Sequence, residues 1–320
     1  MWVPQVHVAV TGSEMPLITS VCNAATPAIV ALCGNSAVHS GSAGTAVCTR
    51  ESGKGDSLGH RHGMPSGPVA NARDFIEQIA SFPYLMRRPT SPAGPSLANV
   101  CGTAAGPANE RRYLPFRAHW EEGIEGAAWE DFLFHDHYIW HSARPRAKQG
   151  TVEIRPACQQ PMADHMVVAA LGLGVAQSAA KLAPVLAAVG RGAYAAAGAV
   201  ASPEGAALAA SRVAAALPLS GGDAWGLQGE AWAGLLHLHH QGSRTGLADP
   251  AVRAMSAAVL AHAEEGLALR GLGEEAFLSP LKVRLAVAQN PGQAAQAILA
   301  KDGAAALIAH CAQRPPSLLK

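Results

Sequence analysis

The residues with the clearest chemical potential lie between positions 140 and 156, in the run Trp140-His141-Ser142-Ala143-Arg144-Pro145-Arg146-Ala147-Lys148-Gln149-Gly150-Thr151-Val152-Glu153-Ile154-Arg155-Pro156. Residues 151–155 alternate as a β-strand does and stop at Pro156, which cannot donate to a sheet ladder. Alternate side chains of a strand share a face, so Thr151, Glu153 and Arg155 are predicted together, with Val152 and Ile154 turned to the core. A carboxylate beside a guanidinium, after a loop bearing Arg144, Arg146 and Lys148, can hold a metal and an anion at once. Carboxylate oxygens are the hard ligands Mg²⁺ prefers, and the guanidinium fork matches carboxylate or phosphate. The plainer alternative is a solvated Glu–Arg pair on an edge strand, and alternation alone leaves both open.

Weaker constellations surround this one. His135, His137 and His141 with Asp136 fall on a predicted helix or turn, where the 137/141 pair has the i, i+4 spacing of a Zn²⁺ site. No glutamate stands between them as in H-E-x-x-H, so packed or surface histidines are the favoured reading. His237, His239 and His240 read as a helix end. Gly59-His60-Arg61-His62-Gly63 reads as a solvated loop, with anion binding as its alternative. There is no G-x-x-x-x-G-K-[ST], no G-x-S-x-G and no Rossmann glycine pattern.

The elements that must position these residues change character near residue 162. Before it, short apolar stretches are cut by Gly, Pro and Ser: a strand over 3–10, a short helix or strand over 24–32, a loop over 34–66, a helix over 71–82 and an irregular stretch over 87–109. After it the pattern is helical, with helices predicted at about 164–183, 203–217, 223–240, 250–270, 280–289 and 291–300. Ser202-Pro203, Asp249-Pro250 and Ser279-Pro280 each set a capping side chain before a proline suited to the first helical position. Aromatics are 5% of the chain and alanine is abundant, so these helices are expected to pack closely through small side chains.

Composition bounds the function class. With 49% hydrophobic and 15% charged residues, the 320-residue chain is no solvating disordered segment. Its 24 Lys+Arg against 23 Asp+Glu lack the positive surplus of a protein that binds nucleic acid by neutralising phosphates. Six cysteines without a CxxC pair, and no signal peptide, point to reduced thiols in a cytoplasmic protein. No window reaches the ~18 consecutive apolar residues of a membrane span, so no membrane is expected.

At the strongest segment the sequence resembles a known family. Trp140…Arg144-Pro145…Gly150-Thr151-Val152-Glu153-Ile154-Arg155 is similar to a signature of the glutamate–cysteine ligase 2 family, the carboxylate–amine ligases. Asn35-Ser36, Gly41 and Arg50 resemble that family's A-N-S-P…G…T-G…R stretch, and Val6-His7-Val8-Ala9-Val10 its H-V-H-V strand. The three matches come in order, with fitting intervals, over about residues 5–165.

The resemblance implies an α+β fold: a partial glutamine-synthetase-like antiparallel sheet in residues 1–162, packed with a largely helical region, 163–320. It implies an ATP-dependent ligase, most closely glutamate–cysteine ligase, in which glutamate is phosphorylated and cysteine or another amine displaces phosphate. By residue, it implies His7 and Glu153 as Mg²⁺ ligands, Arg155 and Arg144 as the catalytic pair facing substrate oxygens, and Arg50, Asn35, Arg146 and Lys148 as substrate and ATP contacts. On that reading Glu153→Gln loses turnover with the fold intact. The family's glutamate-rich strand upstream of H-V-H-V has no counterpart, and Ala9, Ala37 and Cys158 depart from the pattern. The alternative expectation is thus a truncated non-catalytic relic or partner subunit, in a homo-oligomer or with a partner chain.

Overall fold

The structure, a computed structural model, describes residues 4–39, 41–52, 61–83, 115–121, 128–200 and 225–312. The expected helix at 203–217, the stretch at 87–109, and Gly59, His60 and Cys101 lie outside the described residues.

In chain order the strands are β1 (Val6–Ala9), β2 (Val38–His39), β3 (Ser42–Ala43), β4 (His62–Gly63), β5 (Trp140–His141), β6 (Ala143–Arg146) and β7 (Thr151–Ile154). The helices are α1 (Met15–Ala24), α2 (Thr26–Cys33), α3 (Thr49–Ser52), α4 (Ala72–Ala80), α5 (Phe116–Glu121) and α6 (Trp129–His137). After the sheet come α7 (Val167–Gln177), α8 (Ala179–Val200), α9 (Glu230–Thr245), α10 (Pro250–Ala268), α11 (Ser279–Ala286) and α12 (Pro291–Ala312).

β1, β7 and β6 form an antiparallel sheet in that order, with β1 at one edge. Its two faces follow from alternation. Val8, Val152 and Ile154 are buried in the main core with residues of α7 and α1, while His7, Glu153 and Arg144 share the opposite face. At the β6 edge, the Asn23 side chain of α1 takes the place of a further strand. Its Nδ2 donates to Ala143 O at 2.8 Å, and Ala143 N donates to Asn23 Oδ1 at 2.8 Å. This satisfies a buried pair of edge groups that no neighbouring strand pairs and fixes the strand carrying Arg144. β4 and β5 make a short parallel pair, with His62 stacked on Trp140 at a centroid separation of 4.9 Å.

The predicted two halves share one core. A single buried cluster runs from Val8 through α1 and α2 to α7, α8, α9 and α10. Small side chains bring these helices together as composition implied. A Cβ at Gly234 of α9 would lie 1.8 Å from Gly190 O of α8, and one at Gly190 would lie 2.1 Å from Ala231 O. Only glycine permits backbones to approach so closely.

Local signals match in part. Residues 24–32 are helical on either side of Ala25, the residue between α1 and α2. Asn71 caps α4 by accepting from Asp74 N, and Asp249 caps α10 by accepting from Ala251 N and Val252 N. The single helix expected at 164–183 is instead two, broken at Ser178, whose hydroxyl donates back to Gly174 O at 2.9 Å and to Val175 O at 3.3 Å. That local bond competes with helix continuation. Ser279 is the first residue of α11 rather than its cap; Leu278 holds that place, with no side-chain bond. Among the described residues, no single helix is long and apolar enough to cross a membrane.

Candidate functional site

The strand register puts three candidate residues in one row. His7 lies opposite Glu153, and Glu153 opposite Arg144. They share a face but not a cavity. His7 is exposed, with Nδ1 3.0 Å from Thr151 Oγ1. Glu153 is 3% exposed and its carboxylate is occupied: Arg144 Nε donates to Oε2 at 3.0 Å and Arg155 Nη1 to Oε1 at 2.9 Å, with Arg146 Nε 3.6 Å from Oε2.

That environment decides what Glu153 can do. A carboxylate removed from water needs positive partners and hydrogen bonds, and here guanidinium groups supply both. Mg²⁺ needs oxygen donors of its own, close to octahedral and still partly hydrated. With both Glu153 oxygens on arginines and His7 turned to solvent, the expected Glu153–His7 pair does not fit a Mg²⁺ ion. Among the described residues, no group of three or more His, Cys, Asp or Glu side chains is arranged to hold a metal.

The arginines divide by how much of each is committed. Arg144 is 4% exposed; besides Glu153, its Nη1 donates to the carbonyls of Asp136 (3.3 Å), His137 (3.1 Å) and Ile139 at the end of α6. Carbonyls at a helix C-terminus lack intrahelical partners, so Arg144 closes that helix on the sheet. Arg50 donates to Pro156 O (2.9 Å), Ala157 O (3.2 Å) and Arg155 O (2.7 Å) and pairs with Glu51 at 3.2 Å. It clamps the chain after β7, where an anion contact was expected. Asn35 likewise holds the backbone, its Nδ2 donating to Gln159 O at 2.9 Å.

Arg146 is different. Its two carboxylate neighbours, Glu153 Oε2 at 3.6 Å and Asp136 Oδ2 at 3.7 Å, stand at ion-pair rather than hydrogen-bond distance. Arg146 and the exposed Lys148 line a cleft of about 440 Å³ between the β6–β7 turn, α4 and α6. Phe75, Ile76, Trp129 and Phe132 form its apolar wall, with Trp129 stacked on Phe132 at 5.0 Å. The cleft therefore offers cationic donors against an aromatic surface.

Asp136 also borders the cleft. Burial pushes its carboxyl up to about 6, against the opposing pull of Arg144 and Arg146, with Glu153 adding to the rise. Oδ1 is buried with no hydrogen-bond partner among the described residues. His137 moves the other way: burial, then Arg146 and Arg144, hold its imidazole below the usual range and favour the neutral ring.

The other histidine readings change. His137 ends α6 while His141 lies on β5, so the 137/141 spacing is not a helical pair. His135 is buried, with Nε2 3.0 Å from Ile79 O and its ring stacked on Phe116. His237, His239 and His240 sit within α9, and His239 Nε2 lies 3.6 Å from Glu51 Oε2. Arg61 belongs to no solvated loop. It is 2% exposed, bonded to Pro83 O and Tyr138 O, and burial lowers its pKa to about 10.

Sequence reasoning named Asp136 only as a neighbour of the histidines and did not select the aromatic wall or Cys48 beside Cys158. Asp136 had a weak signal as the one acid inside a histidine run; the others had none, because they depend on helices and loops distant in sequence. Compared with known proteins, the chain matches no family model and no curated protein.

Proposed function

We propose that the chain is an ATP-dependent carboxylate–amine ligase of the glutamate–cysteine type, taking its anionic substrates in the cleft beside β6 and β7. One juxtaposition supports the reading: Arg146, on the sheet face that carries Glu153, enters the same cleft as Lys148, opposite Trp129 and Phe75. Phosphoryl transfer is mainly positioning and charge neutralisation, so a guanidinium held by carboxylates only at ion-pair distance, and a lysine beside it, set against an apolar wall suit a nucleotide or phosphorylated carboxylate. In this reading the γ-carboxylate of glutamate takes the terminal phosphoryl group of ATP, and the cysteine amine then displaces phosphate. Arg146 and Lys148 hold the substrate oxygens; Arg144, Arg155 and Arg50 keep the sheet and the following segment in place. Neither Glu153 nor His7 is given a metal-binding step.

The test is ADP release by the full chain with ATP, Mg²⁺, glutamate and cysteine. Glutamate-dependent release, reduced tenfold or more by Arg146→Gln, is expected. No release above background, together with no Mg-ATP binding in calorimetry, removes the reading. The second reading, a non-catalytic relic or partner subunit, draws on one observation: guanidinium groups already surround the Glu153 carboxylate. It is favoured where Mg-ATP fails to bind.

A further inference from the structure

The thiols of Cys48 and Cys158 come from segments 110 residues apart, yet their sulfurs are 3.5 Å from each other. Both residues are fully buried. Ser36 Oγ lies 3.6 Å from Cys48 Sγ and 3.5 Å from Cys158 Sγ, so a hydroxyl bridges the pair. Neither Cys22 nor Cys33 has a thiol so placed; burial pushes each up to about 12 and keeps it protonated. We propose that Cys48 and Cys158 are a peroxide-sensitive dithiol that closes to an intramolecular disulfide, cross-linking the segment carrying Arg50 to the segment following Arg155.

The geometry requires little rearrangement. A disulfide needs sulfurs about 2.05 Å apart, so these need to close by only about 1.5 Å. The polar surroundings divide the roles. The Cys48 thiol first, then Ser36, the Asn35 backbone N–H and the Arg50 charge, lower Cys158 to about 6 against the effect of burial, while Cys48 is held well above its ordinary value. Cys158 is the thiol of the pair drawn toward the thiolate, and thiolates are what peroxide oxidises. Its sulfur attacks one peroxide oxygen; an S–O bond forms, the O–O bond breaks, and hydroxide leaves and is protonated to water. Cys48 sulfur then attacks the sulfenic sulfur. An S–S bond forms, the S–O bond breaks, and the oxygen leaves with the Cys48 proton as a second water. Two thiols and one hydrogen peroxide thus give one disulfide and two waters, and a dithiol reductant reverses the change.

The link would fasten a junction that Arg50 already holds non-covalently. Arg50 is two residues from Cys48, and the carbonyls it binds belong to Arg155, Pro156 and Ala157, immediately before Cys158.

The test uses the full chain treated with hydrogen peroxide, quenched, unfolded in N-ethylmaleimide, digested without reduction and mapped by mass spectrometry. The expected result is a linked peptide pair containing Cys48 and Cys158, released by dithiothreitol and absent in Cys48→Ala. Alkylation of both cysteines after the exposed Cys311 has reacted with peroxide overturns the proposal, as does a link from Cys158 to Cys33 or Cys101. Should Cys48→Ala fail to fold, the map of the unaltered chain decides alone.

Discussion

Arg144 Nε and Glu153 Oε2 stand 3.0 Å apart at directly opposed positions of neighbouring antiparallel strands, and each side chain is only 4% exposed. The pair joins two tasks. Glu153 neutralises the positive charge that Arg144 brings into the interior, and Arg144 in turn closes the carbonyl end of α6. Glu153 is thus a keystone of the fold on the same surface that borders the cleft.

Glu153→Gln is accordingly expected to destabilise the protein by about 3–5 kcal/mol, because removing one partner strands buried like charges. The sequence alone implied loss of turnover with the fold intact; the geometry couples the two. Urea unfolding of the variant measures it, and a change below about 1 kcal/mol would show that the arginines are solvated.

Arg146→Gln should separate binding from stability. The Arg146 side chain is 18% exposed and makes no close bond to either carboxylate. Its loss is expected to cost less than that of Glu153, about 1–2 kcal/mol of stability. Mg-ATP affinity should fall at least tenfold, about 1.4 kcal/mol. Calorimetry beside thermal unfolding reads both, and unchanged affinity would move the anion site away from this cleft.

Asp136 gives a pH signature. Its carboxyl titrates at about 6 in the folded chain against a reference of 3.8. Between those values the folded state retains a proton that the unfolded chain has released, so stability falls as pH rises and the loss is complete above about 6. Asp136→Asn should remove that slope and gain roughly 1–3 kcal/mol at pH 7. Unfolding free energies measured from pH 4 to 7 would check this; a variant that is less stable throughout would mean that its pairing with Arg146 outweighs burial.

Gly234→Ala should be among the most damaging conservative changes. Its added methyl would meet a backbone carbonyl of α8 that no side-chain rotation can move. A loss of about 3 kcal/mol or more is expected, with Gly192→Ala, where nothing lies within 4 Å, as the neutral control. Equal unfolding midpoints for the two variants would contradict the close crossing.

What the sequence determined by itself is local. Two-residue alternation placed Thr151 and Glu153 on one strand, with Arg155 just past its end, Asp249 before Pro250 marked a helix start, and scarce aromatics with abundant small residues implied close helix contacts. Those features depend on chain geometry and on neighbours a few residues away, so they can be read without the fold. The partners of each charge are another matter. Arg50 and Arg144 have the side chains of anion binders, yet the folded chain directs them to carbonyls at 155–157 and at the end of α6. Arg146, two residues from Arg144, keeps its charge toward the cleft. Only the tertiary structure separates these cases, because a guanidinium serves a backbone carbonyl or a ligand oxygen equally well, and which one it meets is set by segments brought together from across the chain.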